Sequence, residues 1–486
     1  MANVILPVSL GLNFKNDFVQ IIDGVAAPTK ETRYGINPAN LQPNAEAPIA
    51  TSQDLDRAVD SARQAFSLWS KVPYEERKSA VLAFANAASQ LSTEFRDLLI
   101  QENGKPMPQA EIETSAAIEW MRAMANIPLP EEVVEDTDTR RIITRYTPIG
   151  VVAAIVPWNF PLLLAAAKIA PAVLTGNVVI VKPSPFAPYC GLKLVELAQR
   201  FFPRGVVQSL SGDDNLGPWI TSHPHIDKIS FTGSTATGKS VLQSASKTLK
   251  RVTLELGGND AAIVFPDVNI EKVAEKVALF SFLNSGQICL NVKRIYVHES
   301  IFDEFKAALV KVVQGYTIGD GSQHGISHGP VQNSMQYERV KTFFSDIKSQ
   351  GWEVAVGGDI GSSTGYFITP TVIDRPPEDS RIVVKEPFGP IVPLLSWKDE
   401  EEVISRANNT RMGLGASVWT QNLDKAMRVS KEINAGTVWI NNHFDLSPLA
   451  PLSGHKESGI GTEWGINGLK GFCNLQAVFL NKDTLE

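Results

Sequence analysis

Between Ser52 and Trp69 the apolar residues Leu55, Ala58, Val59, Ala62, Ala65, Phe66 and Trp69 recur three and four positions apart, which predicts an amphipathic helix. Thr51 or Ser52 can cap it, and Asp54, three places after Thr51, completes a capping-box pattern. The same periodicity predicts a second helix over Tyr74 to Ser92. Farther along, Arg140 to Thr147 alternates and is β-branched, the mark of an exposed hairpin strand. The pattern then changes. Gly150 to Val156, Val178 to Val181, Lys228 to Phe231 and Ala261 to Phe265 read as strands that are apolar on both faces. Helical segments lie between them, such as Pro161 to Leu174, with proline in its first turn and Gly176 as a stop. Such strands, alternating with helices, imply a parallel sheet covered on two sides and therefore an α/β fold. Helix Glu271 to Leu283, strand Arg294 to Val297 and helix Phe302 to Val313 predict a second α/β unit starting near Leu256. The tail, Asn474 to Leu480, alternates again and can pair with another element or another subunit.

A chain of 486 residues exceeds one ordinary core, so two or three domains are expected. The net charge of −7 argues against nucleic-acid binding, which needs a basic surface to displace counterions. Three scattered cysteines, Cys190, Cys289 and Cys473, offer neither a zinc spacing nor a disulfide framework. No metal site is expected, and a reducing, cytoplasmic setting fits. The first residues, MANVILPVSLGLNFK, carry no basic stretch before their apolar run, so no leader is read there. Ile149 to Val181 is the one stretch that resembles a membrane span. Pro157, Asn159, Pro161, Lys168, Pro171 and Asn177 interrupt it, so a soluble chain with no membrane partner is expected.

Four segments carry chemistry. In Lys228 to Ser240 a strand enters a turn containing Gly233 and Ser234 and then a helix. Free N–H groups at a helix start attract phosphate, and glycine permits close approach. Read literally, Gly233 to Ser240 also satisfies GxxxxGK[ST], so the turn fits a dinucleotide diphosphate, a nucleoside triphosphatase P-loop or a plain helix cap. The second segment places Glu255 between Leu254 and Leu256, ahead of Gly257 and Gly258. Burial raises a carboxyl pKa and would poise this acid as a base near neutral pH, whereas pairing with Arg or Lys would make it structural. The paired glycines point to close approach by another segment. In the third, Cys289 follows a helix and the turn at Gly286. Helix-terminal or backbone N–H groups would raise its thiolate fraction, and a buried inert thiol is the alternative. The fourth is Pro157-Trp158-Asn159-Phe160-Pro161, where a fixed amide suits an oxyanion donor, or a helix cap.

Together these segments resemble the aldehyde dehydrogenase superfamily. PWNFP, the KPS run at Lys182-Pro183-Ser184, FTGST, ELGG, FxNxGQxC, the EPFGP run at Glu386 to Pro390 and GHKESGIGTE stand in the family's order over nearly the whole chain. Glu255 and Cys289 are 34 positions apart, and Cys289 and Glu386 are 97 apart, again as in the family. The resemblance implies oxidation of a small-molecule aldehyde to a carboxylic acid with NAD or NADP. Cys289 would be the nucleophile, Glu255 the base that activates water, Asn159 and the Cys289 N–H the oxyanion donors, and Glu463 a proton acceptor further on. It implies cofactor contacts at Val156, Pro157, Trp158, Lys182, Ser184, Pro185, Gly233, Ser234, Leu256, Glu386 and Phe388. Phe160, Leu163, Ala167, Ile288, Leu290 and Leu452 would form the substrate tunnel.

The fold implied is a Rossmann-like cofactor domain (1–130 and 147–255), an α/β catalytic domain (256–440) and a small β oligomerisation element (131–146 and 466–486). Residues 441–465 would return to the active-site region, and a homodimer or homotetramer is expected. Many NAD-preferring relatives carry a glutamate three places after the KPS lysine; here Pro185 stands there, which leaves NAD and NADP both open with a lean to NAD. Ala167 replaces a frequent bulky aromatic, so the tunnel should suit a medium-sized aliphatic or aromatic aldehyde. A CoA-acylating relative is the alternative within the family, and it usually lacks the base that Glu255 supplies.

Overall fold

A computed structural model describes residues 11–361 and 364–483; the leader reading made on the first residues falls largely outside them. The predicted first helix spans Ser52–Trp69. Asp54 N–H donates to Thr51 Oγ1 at 3.2 Å and Thr51 N–H donates to Asp54 Oδ2 at 2.8 Å, so the box forms with aspartate in place of the usual glutamate. The apolar stripe is buried, and Trp69 Nε1 donates to the Val173 carbonyl at 3.0 Å. The second helix stops earlier than expected. It covers Tyr74–Gln90, Leu91 leaves helical geometry at ψ 20°, and a separate helix runs from Ser92 to Asn103.

The first sheet has five parallel strands at its centre, in the order Val207–Ser209, Val178–Lys182, Val151–Ile155, Lys228–Thr232 and Arg251–Glu255. The chain starts at Val151–Ile155, builds one flank, then returns to build the other. Its order therefore reverses between Val151–Ile155 and Lys228–Thr232, and the crevice at the carboxyl ends of such strands is where α/β sheets bind ligands. Pro157 to Asn159 follows one of these two strands and Gly233-Ser234 follows the other. A short strand, Gly459–Ile460, pairs antiparallel with the edge strand, Glu255 opposite Gly459.

Five residues after Glu255 the chain enters the second, seven-stranded sheet at Asp260–Val264. Its neighbours are Val292–His298 and Gly415–Trp419, both parallel to it. Ala261 and Ile263 join one hydrophobic cluster, and Ala262 and Val264 join another on the opposite face. That partition explains the lack of alternation in the sequence: burial stabilises a side chain such as Ile263 or Val264 by roughly 1.5–3 kcal/mol whichever face it takes.

A third, three-stranded sheet stands apart. Cys473–Asn481 pairs antiparallel with Arg140–Pro148, which pairs on its other side with Glu132–Asp136. Val134, Leu475 and Phe479 on its two outer strands are exposed. Among the described residues no helix is long and apolar enough to cross a membrane.

Candidate active site

The two large sheets meet at one open cleft. From the first sheet its wall takes Pro157, Trp158, Asn159, Gly233, Ser234 and Glu255, with Leu256 just beyond; from the second it takes Cys289, Glu386 and Phe388. Phe160, Leu163, Ile288, Leu290 and Leu452 line its apolar end. Glu463 also reaches it, because Leu452 and Glu463 bridge each other next to the edge strand.

Cys289 is delivered by an unusual backbone. Asn284, Ser285 and Gly286 have φ of 53°, 54° and 75°, three successive left-handed residues that reverse the chain after helix Ile270–Phe282. Gly286 is required twice over, since a Cβ there would lie 2.1 Å from the Gly389 carbonyl oxygen. The paired glycines answer to the same crowding. A Cβ on Gly257 would fall 2.4 Å from Glu386 Oε2, and one on Gly258 would fall 2.3 Å from the Cys289 carbonyl oxygen. Glu386 Oε1 accepts the Gly258 N–H at 3.2 Å.

Asn159 is not a helix cap. Phe160 holds that position without a side-chain bond, and the Glu113 carboxylate accepts the free N–H groups of Leu162 and Leu163 at 3.0 and 3.2 Å. Asn159 Nδ2 instead donates to the Gln287 carbonyl at 2.9 Å, beside the cysteine turn. An amide nitrogen carries two hydrogens, so this bond orients the group and leaves a second donor.

Glu255 is 4% exposed, and neither carboxyl oxygen has a hydrogen-bond partner. Burial and the neighbouring Glu463 carboxylate push its pKa well above the usual range, against the pull of Lys168. Glu463 itself accepts from the buried Lys168 ammonium and, at 3.0 Å, from Ser230 Oγ. Lys168 had been legible only as an interruption in an apolar helix. Burial pushes the Cys289 thiol up to about 12, with Lys293 opposing and Glu386, Asp260 and Glu255 reinforcing the rise.

Several expected contacts lie elsewhere. Ala167, within helix Pro161–Leu174, is 4% exposed and is not among the residues lining the cleft. Val156, Lys182, Ser184 and Pro185 are also outside the cleft wall, although Val156 N–H donates to the Lys182 carbonyl along the same sheet edge. Burial brings the Lys182 ammonium down to about 8. Leu164, Phe444, Leu446 and Trp464 were not foreseen and extend the apolar wall. Phe388, held at φ 50° by two 2.9 Å bonds from Gln336 Nε2 to the Pro387 and Phe388 carbonyls, meets Trp158 edge-on at 5.5 Å.

The triphosphatase reading fails on geometry. Lys239 is held in an ion pair with Glu457 at 3.0 Å, and Asp267 is engaged by Thr420 and the Gln421 N–H. Among the described residues no cluster of three His, Cys, Asp or Glu could hold a metal. What remains is a dinucleotide-type sheet edge facing a half-buried thiol and an unpartnered carboxylate, the outline of an oxidoreductase that works through a covalent sulfur adduct.

The chain belongs to the aldehyde dehydrogenase family, whose model matches residues 25–478. It is 44% identical over 465 residues to a putative aldehyde dehydrogenase of Gibberella fujikuroi, covering 96% of this chain and 99% of that one. It is 38% identical to a mitochondrial aldehyde dehydrogenase of Leishmania tarentolae, covering 91% and 90%. Its fold is similar to an NAD+ complex of aldehyde dehydrogenase from Bacillus cereus, with a TM-score of 0.94, 34% identity and coverage of 96% and 97%. The protein is accordingly an NAD(P)-dependent aldehyde-oxidising enzyme.

Proposed function

We propose that the protein oxidises an uncharged, medium-sized aliphatic or aromatic aldehyde to its carboxylic acid through a thioester on Cys289. The observation that carries this reading is the shared cleft of Cys289 and an unpartnered Glu255, with apolar walls beyond them.

The cofactor fits the sheet edge. Gly233 presents bare backbone at the start of helix Thr235–Ala245, where N–H groups favour a diphosphate, and Glu386 and Phe388 stand toward Cys289 for the nicotinamide ribose and ring. Lys182, with Ser184 and Pro185, lies along the same edge for the adenosine ribose. When bound, NAD(P)+ accepts the hydride that the substrate carbon loses. The chain does the rest. Glu255 removes the Cys289 proton, and the sulfur attacks the aldehyde carbon. Asn159 Nδ2 and the Cys289 N–H steady the resulting oxyanion. Loss of hydride re-forms the carbonyl as a thioester. Once Glu255 has passed that first proton on, it takes another from water, hydroxide adds to the thioester, and the acid leaves as Cys289 regains a proton from Glu255. Glu463, paired with Lys168, offers the first proton a way on from Glu255.

NAD is the favoured cofactor, a dimer or tetramer the favoured assembly and the cytoplasm the favoured compartment. The exposed Val134, Leu475 and Phe479 of the small sheet support its role in assembly, since exposed apolar patches commonly mark interfaces. The units 1–130 with 147–255 and 256–440 are read as the cofactor and catalytic domains, and 441–465 as the segment returning to the cleft.

The test mixes the protein with a series of straight-chain and aromatic aldehydes and NAD+ or NADP+, with and without CoA, and follows reduced cofactor. CoA-independent turnover that strengthens with apolar chain length is expected. A strong preference for charged semialdehydes would defeat the substrate assignment, and turnover in Cys289→Ser would defeat the nucleophile.

A further inference from the structure

Lys293 lies directly beneath the cysteine turn and is 3% exposed. Its Nζ donates to the Cys289 carbonyl at 2.6 Å and the Ile288 carbonyl at 2.8 Å, and lies 3.4 Å from that of Asn291. The same nitrogen is 3.4 Å from Glu386 Oε1. A buried ammonium is costly unless oxygen surrounds it, and here three backbone carbonyls and a carboxylate do so. All three carbonyls come from residues 288–291. Holding the peptides on both sides of Cys289 also holds the direction of its Cα–Cβ bond, so the lysine governs where the sulfur points.

The charges around this spot are unbalanced. Glu386, Asp260 and Glu255 all act against ionisation of the Cys289 thiol, as does burial, and Lys293 is the one group among its largest influences that favours it. On the far side His443 bonds the Leu290 carbonyl at 2.7 Å and lies 3.9 Å from Asp260 Oδ2, and burial keeps it neutral by lowering its pKa to about 3. Arg294 is adjacent in sequence but spends its guanidinium on the carbonyls of Asn259, Arg406 and Ala407.

We infer that Lys293 is a positioning residue that fixes the Cys289 turn and supplies the positive charge on which ionisation of its thiol depends. This rests on the reading of Cys289 as the nucleophile. The mechanism above asks Glu255 to take the proton but leaves the new thiolate without a countercharge from the chain; Lys293 provides one through the turn it holds, while tying that turn to Glu386.

The test uses the full-length, cofactor-free protein and two variants. Lys293→Gln keeps hydrogen-bond donors but removes the charge, and Lys293→Met removes both. Ionisation of Cys289 is read from ultraviolet thiolate absorbance during a pH titration, as the difference from the same protein carrying Cys289→Ser. At a fixed alkaline pH the ionised fraction should fall about tenfold or more in both variants, as expected when a neighbouring opposite charge is lost. A purely structural lysine would lower the melting temperature without moving the titration of the folded protein. A folded Lys293→Gln variant that titrates like the wild type overturns the inference, and that variant decides alone where Lys293→Met does not fold. The readout involves neither aldehyde nor cofactor, so its failure is separable from failure of the nucleophile reading, which Cys289→Ser turnover tests.

Discussion

Gly258 and Cys289 stand so close that a Cβ on the glycine would lie 2.3 Å from the cysteine's carbonyl oxygen. Gly257, beside it, is pressed in the same way by the Glu386 carboxylate. The end of the Glu255 strand, the cysteine turn and the Glu386 segment thus converge on two residues without side chains. Base, nucleophile and a candidate cofactor ligand are drawn into one cleft by backbone packing.

Gly258→Ala should therefore damage the site through its backbone. The added methyl meets a carbonyl that cannot swing aside, and overpacking of this kind costs about 1–3 kcal/mol. A lowered melting temperature and at least a tenfold slower pre-steady-state release of reduced cofactor are expected. Wild-type melting and burst rate would show that the turn has room after all.

Asn159→Ala tests the oxyanion donor. The amide is already oriented by its 2.9 Å bond to the Gln287 carbonyl, so removing it takes away a prepared donor. Turnover should fall about a hundred- to a thousandfold, the usual loss for one such group. A near-normal single-turnover rate would remove Asn159 from the role.

Legibility in the sequence followed the physics of each feature. The helix Ser52–Trp69 could be read to the residue because a side-chain cap and an apolar stripe marked it independently. The break at Leu91 could not, since the apolar spacing continues through Phe95, Leu98 and Leu99 with no glycine or proline to signal it. In the site, Glu255, Cys289 and Asn159 drew notice because glycines and prolines surround them, and those residues mark close approach. Phe444 and Leu446 enter the cleft from a loop, which has no period to read. Lys168 looked like an interruption and Lys293 drew no notice, because their partners, Glu463 and Glu386, lie far away in the chain. Ala167 was assigned by resemblance, and it is buried and not among the residues lining the cleft.

Glu255→Gln separates the two half-reactions. The variant keeps the shape of the side chain but cannot take a proton from water, so the thioester should form slowly and persist. Intact-mass spectrometry after mixing with aldehyde and cofactor should show acylated protein, mapped to Cys289. In the wild type, deacylation should quicken as pH rises above the ordinary carboxyl range, because burial and Glu463 hold the Glu255 proton well above that range. Released reduced cofactor with no acylated variant would contradict water activation by this residue.

Asp260→Asn gives a stability test that does not involve turnover. Asp260 is 1% exposed, and burial brings its pKa from 3.8 up to about 7, with Lys293 and the Gly415 backbone pulling the other way. A carboxyl that holds its proton more tightly when folded favours folding fully below its unfolded pKa. That advantage drains away as pH rises from about 4 to about 7, over which the unfolded chain has already ionised. At about 1.4 kcal/mol per unit the loss has a ceiling of about 4 kcal/mol. Asparagine cannot ionise, so the variant should escape it. Its melting temperature relative to wild type should climb between pH 4 and pH 8, the variant gaining most at the alkaline end. Parallel melting curves across that range would mean that Asp260 ionises as easily inside the protein as outside it, and that the Lys293 ammonium or solvent reaches it well enough to offset its burial.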